Sequence, residues 1–64
     1  MITIHWKMFG EEWTTRAAAL SGRALALGVG SRLERPHFEL ENDRINGEVH
    51  HRGQRVGTFK VVYG

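Results

Sequence analysis

Apolar and polar residues alternate strictly over the first eight positions of the chain. Ile2, Ile4, Trp6 and Met8 are separated by single residues of higher polarity. This is the period of a strand that is buried on one face. The pattern predicts a strand over 2–8 with these four side chains facing the core.

The spacing of apolar positions changes to steps of three and four after Gly10. Glu11 and Glu12 would place negative charge in the first turn of a helix, where the helix dipole favours it. We therefore predict a helix over about 11–27, ended by the glycines of the Gly28-Val29-Gly30 segment. Its core-facing stripe would consist of Trp13, Ala17, Leu20, Ala24 and Leu27.

Three runs of period two follow the single proline, Pro36, at 37–41, 44–52 and 56–63. They predict an antiparallel meander. Asn42-Asp43 is a pair of residues that tolerates positive φ, and it would form a two-residue turn. That turn would place Leu40 opposite Ile45.

The length of the second turn of the meander decides which side chains face the core, because a one-residue slip reverses the faces of a strand. A two-residue turn at Gly53-Gln54 would send Phe59, Val61 and Tyr63 into water. A three-residue loop, 53–55, instead turns them inward. The expected pairs are Val49 with Phe59, Gly47 with Val61, Ile45 with Tyr63 and, on the outer face, Glu48 with Lys60. Gly47 would then make space for an aromatic ring or for the helix.

These elements predict a single α+β domain over 1–64 with the order β-α-β-β-β. One helix would pack on one face of a mainly antiparallel sheet of three or four strands, and the other face would be bare. The pattern leaves open whether the first strand pairs with the second or with the last strand.

Composition narrows the class of protein. The chain has 64 residues, no cysteine, nine Lys and Arg, seven Asp and Glu, and a net charge of +2. No apolar run approaches the roughly 20 residues of a membrane span, so we expect no membrane association. The absence of cysteine favours a reducing, cytoplasmic location.

Residues for catalysis are sparse. The two serines, Ser21 and Ser31, lack a glycine-elbow context, and a nucleophile needs a neighbouring base. We expect no enzymatic activity, no cofactor and no metal requirement. An intermolecular zinc site using His37 and His50 on one face stays open as a minor alternative.

The bare face of the sheet is the main candidate for a binding site. Its mixed charges with scattered apolar residues favour a protein partner over a phosphate backbone. The residues expected to contact the partner are Arg44, Glu48, His50, Arg52, Arg55 and Lys60. Val56 and Val62 would be apolar islands on the same face.

Two other functions remain open. Arg44, Arg52, Arg55 and Lys60 could contact phosphates of a nucleic acid, although the glutamates of the same face oppose this. Alternatively, the chain could be a subunit of an obligate homo-oligomer such as a homodimer, packed through the small helical positions Ala18, Ser21 and Leu25.

Small single-domain chains rich in Ala, Arg and Gly are common among phage and prophage accessory proteins. These include inhibitors of host enzymes and anti-CRISPR proteins that act by occlusion. This is an association of size and composition only, and on it we expect a host or phage macromolecular complex as the partner.

Overall fold

The computed structural model describes all 64 residues. The elements are β1 (Ile2–Met8), β2 (Glu11–Ala17), α1 (Gly22–Val29), a 3₁₀ turn (Gly30–Arg32), β3 (His37–Leu40), β4 (Asn46–His51) and β5 (Gln54–Tyr63). The strands form one antiparallel sheet in the order β2-β1-β5-β4-β3. The α+β class is confirmed in outline, but the sheet has five strands rather than three or four. At eight residues, α1 is too short to cross a bilayer.

The predicted helix over 11–27 is wrong in its first half, which forms β2. Phe9 and Gly10 have φ values of 52° and 77°, which make the two-residue turn of a β-hairpin. The pair of β-branched residues Thr14 and Thr15 suits a strand better than a helix. The Trp6 indole donates a hydrogen bond to the Thr15 hydroxyl at 2.8 Å, and this bond fixes β2 against β1.

Helix α1 has only eight residues, and a capping residue bounds it at each end. The Ser21 hydroxyl accepts a hydrogen bond from the Ala24 amide at the N-terminus, and Gly30 has a φ of 61° at the C-terminus. The predicted oligomerisation row does not form one helical surface, because Ala18 precedes the helix and Leu25 is buried, whereas Ala18 and Ser21 are exposed. Leu27 is 71% exposed, so the predicted core stripe does not extend to it.

The meander has the predicted face assignment except at Val56, which turns inward, and Tyr63, which is 51% exposed, and its registers differ from those expected. Leu40 lies opposite Gly47 rather than Ile45, a difference of two residues that leaves every side chain on its expected face. Between β4 and β5 the turn has two residues, Arg52-Gly53, and the three-residue loop is wrong. A bulge opposite Val49 and His50 adds one residue to β5, which restores the parity that the loop was expected to supply.

The core lies between α1 and the inner face of the sheet. Its largest members are Trp6 and Phe59, whose ring centroids are 5.2 Å apart. The Phe59 ring lies directly over Gly47, which confirms that this glycine makes space for an aromatic ring. Val56 packs against the core and is not an outer-face island. The full set of buried apolar residues is Ile2, Ile4, Trp6, Met8, Leu25, Val29, Val49, Phe59 and Val61.

Candidate functional site

The face of the sheet opposite α1, called here the outer face, carries the polar residues of all five strands. Each outward residue alternates with a core residue on the same strand. No element of the chain packs over this face. Its residues are Thr3, His5, Lys7, Glu12, Thr14, Arg16, His37, Glu39, Asn46, Glu48, His50, Arg55, Thr58, Lys60 and Val62.

The outer face contains a shallow depression over its central strands. It has a volume of about 460 Å³ and is therefore not the flat surface that a simple sheet would present. Its charged lining has both signs: Lys7, Lys60, Glu12, Glu41 and Glu48. His5, Asn46 and Thr58 also line the depression and add hydrogen-bonding groups.

Beside the depression, four side chains form an ionic cluster: Glu39, Glu48, His50 and Arg55. The His50 Nε2 lies 3.0 Å from Glu48 Oε1 and 3.2 Å from Glu39 Oε2. The Arg55 guanidinium donates to Glu48 Oε2 at 3.2 Å. Glu39 and Glu48 are direct cross-strand neighbours, a like-charge pair that would be unfavourable without His50 between them.

The hydrogen bonds of the ionic cluster also lower the pKa of one of its carboxyl groups. Hydrogen bonding to His50, and secondarily to Arg55, holds the pKa of Glu48 below its usual value. Glu48 therefore stays ionised at neutral pH. A carboxylate held between two donors has a fixed orientation, so this part of the outer face is organised before any partner arrives.

The ionic cluster contains groups that can ligate a metal. One ligand atom from each of Glu39, Glu48 and His50 lies within 4.8 Å of the others. His37 lies opposite His50 on the same face, with ring centroids 6.4 Å apart, as the zinc alternative required. The observed hydrogen bonds account for the cluster without a metal.

The structure brings only part of the predicted site together. Glu48, His50 and Arg55 are joined in the ionic cluster, and Lys60 lies in the depression, between His5 and Asn46. The pairing of Glu48 with Lys60 is wrong, because Glu48 lies between Thr58 and Glu39.

Arg44 and Arg52 lie outside this surface. Arg44 is in the β3–β4 connection and Arg52 in the β4–β5 turn, not in the predicted strand over 44–52. They are separated by the length of β4, about 20 Å for a strand of this size. The six predicted residues therefore do not form one contact patch.

Sequence reasoning missed the contribution of β2. Glu12 and Arg16 belong to the outer face, but the helix prediction placed them elsewhere. The adjacent β-branched residues Thr14 and Thr15 were the signal for a strand. No protein-family model matches this chain, and comparison with curated proteins and with solved structures finds no match. The function is therefore argued from the geometry of the surface.

Proposed function

We propose that this chain is a non-enzymatic binding protein that recognises another protein through the outer face of its sheet. The observation that carries the proposal is the depression, which no other element covers and whose lining has charges of both signs. In the phage accessory role suggested by size and composition, binding would inhibit a host or phage complex by occluding part of its surface.

The sign of the charges supports a protein partner over a nucleic acid. Two lysines and three glutamates line the depression, and Glu39 of the ionic cluster adds a further carboxylate beside it. Affinity for a phosphate backbone rests on neutralising phosphates with Lys and Arg, and carboxylates in the same surface oppose it. Alternating charges instead suit a protein surface with the complementary pattern.

The geometry also defines the chemistry of the partner. A projecting acidic side chain of the partner would meet Lys7 and Lys60, which lie on neighbouring strands. A basic side chain would meet Glu41 and Glu12 at the margins of the depression. The ionic cluster is already ordered, so binding orders few additional side chains there, and this lowers the entropic cost of association.

The proposal is tested by affinity capture with the tagged chain from a bacterial lysate, with and without nuclease. Two charge reversals are compared with the wild type. Lys60→Glu changes the depression, whereas Arg23→Glu changes an exposed residue of α1, away from the outer face. Both substitutions are expected to leave the melting temperature nearly unchanged, because exposed charges contribute little to stability.

We expect a stoichiometric protein that survives nuclease treatment, is retained by Arg23→Glu and is lost by Lys60→Glu. Nucleic acid that disappears with nuclease would establish the alternative function instead. A protein retained equally by Lys60→Glu and the wild type would move the binding site away from the depression.

A further inference from the structure

The two edges of the sheet differ in how well they are protected from pairing with another strand. The β3 edge has four residues and follows Pro36, and both features limit the addition of a strand. The β2 edge has seven residues, no proline and no bulge. An edge of this length is a template for β-strand addition.

The backbone groups that β2 presents to solvent follow from its hairpin. Met8 and Glu11 flank a two-residue turn, so they form a hydrogen-bonded pair. Such pairs alternate along an antiparallel ladder. The amide and carbonyl groups of Glu12, Thr14 and Arg16 therefore point away from β1.

We infer that β2 pairs with β2 of a second copy of this chain, antiparallel, around a two-fold axis at Thr14. In this register Thr14 faces Thr14 of the second copy, and the two residues exchange both backbone hydrogen bonds. Glu12 faces Arg16 of the second copy on the outer face, and the symmetry repeats this opposite-charge pair.

Charge complementarity selects this register among those that the backbone allows. Only even shifts keep outward groups facing outward groups. A shift of two residues leaves Glu12 or Arg16 opposite Thr14, and a shift of four places two Glu12 or two Arg16 side chains together. Like charges directly opposite each other are unfavourable, which excludes a shift of four residues. A shift of two residues leaves the charges without opposite partners. Only the register centred on Thr14 pairs Glu12 with Arg16.

An open groove beside the β2 edge supplies apolar surface to the same contact. It has a volume of about 630 Å³ and lies between the end of β2 and α1. Leu27, 71% exposed, lines it together with Ala17 and Ala24. In this register Ala17 faces Glu11 of the second copy, so each groove would lie beside the β1–β2 turn of the other copy, and part of its surface would be buried.

The mass of the wild type is measured by sedimentation equilibrium from about 10 µM to about 1 mM. We expect a reversible change from one chain mass to two. Glu12→Arg and Arg16→Glu each remove two ion pairs and create two like-charge pairs, so each should weaken dimerisation about tenfold or more. The double variant Glu12→Arg/Arg16→Glu restores both pairs and should restore the dimer.

Two controls keep the test independent of folding and of the proposed function. Glu34→Arg reverses an exposed charge outside β2 and should leave dimerisation unchanged. Lys60→Glu changes the depression and should also leave dimerisation unchanged. Glu12 lines the depression as well as the β2 edge, whereas Arg16 does not line the depression, so Arg16→Glu is the variant that separates dimerisation from partner binding. Circular dichroism of every variant checks that the fold is retained.

Amide hydrogen exchange reports the register directly. The amides of Thr14 and Arg16 should become protected as the concentration of the wild type rises. A chain that stays monomeric at about 1 mM would overturn the inference. The inference would also be overturned if the double variant failed to restore the dimer, or if the dimer formed without protection of the Thr14 amide. Protection that appears only when a different protein is added would overturn it as well.

Discussion

Substitution of Gly28 by alanine tests the packing of α1 on the sheet. Gly28 lies inside the helix, where alanine is favoured over glycine by about 1 kcal/mol when nothing else changes. A Cβ atom at this position would lie 2.5 Å from Cζ2 of Trp6 and 2.9 Å from its Nε1. The Trp6 side chain is buried and cannot move freely away.

The magnitude follows from these competing effects. Overpacking a core costs about 1–3 kcal/mol. Displacement of the indole would also weaken its hydrogen bond to Thr15, a contribution of about 1 kcal/mol. After subtraction of the gain in helix propensity, Gly28→Ala should lower the free energy of unfolding by about 1–3 kcal/mol. The melting temperature of a domain of this size should then fall by about 5–20 °C.

Gly22→Ala is the matched control in the same helix. No atom lies within 4 Å of a Cβ built at Gly22, so alanine should stabilise the chain by about 0.4–1 kcal/mol. Urea denaturation followed by tryptophan fluorescence measures both variants. A Gly28→Ala chain at least as stable as the wild type, or a marked loss of stability in Gly22→Ala, would refute the placement of α1.

Two further substitutions test other parts of the fold. Thr15→Val leaves the buried Trp6 indole without its acceptor and should cost about 1–3 kcal/mol in urea denaturation. Thr14→Val, on the exposed face of the same strand, should stay within about 0.5 kcal/mol of the wild type, and equal effects would argue against β2. Asp43 accepts hydrogen bonds from the Ile45 and Asn46 amides, which lower its pKa from the usual 3.8. Its stabilising effect is therefore present above that pH and is lost as the pH falls through the lower folded-state pKa. Melting temperatures recorded down the acid range should fall less steeply for Asp43→Asn than for the wild type, and identical curves would contradict this.

The faces of the strands could be predicted because apolar periodicity depends on parity rather than on register. Phe59 and Val61 face the core as expected, although both predicted turns differ from those observed. A two-residue turn with a bulge gives the same parity as a three-residue loop. Sequence pattern alone does not separate these two solutions.

The pattern did not predict the β1–β2 hairpin, because its turn has an unusual residue and the spacing of the apolar residues after it matches a helix by chance. Phe9 adopts a φ of 52°, a conformation more typical of Asn or Asp at this position of a hairpin turn. Trp13, Ala17 and Leu20 match a helical step, but all three pack against the core from a strand and the connection after it. Helical spacing over so few residues is a weak signal against tertiary contacts.

Part of the candidate site could be predicted, because parity also decides which residues of a strand lie on the outer face. Residues of the meander that parity placed on the outer face, such as Glu48, His50 and Lys60, lie there. Arg44 and Arg52 were misplaced because strand ends depend on turn geometry. The depression combines residues of β1, β2, β4 and β5, and periodicity does not predict which strands lie next to one another.

The affinity of the captured partner for three forms of the chain tests the central claim most directly. Calorimetric titration would compare the wild type with Lys60→Glu and Arg23→Glu. If the depression binds the partner, Lys60→Glu should raise Kd by more than about tenfold, while Arg23→Glu stays within about twofold. Equal Kd values for all three forms would contradict recognition through the outer face.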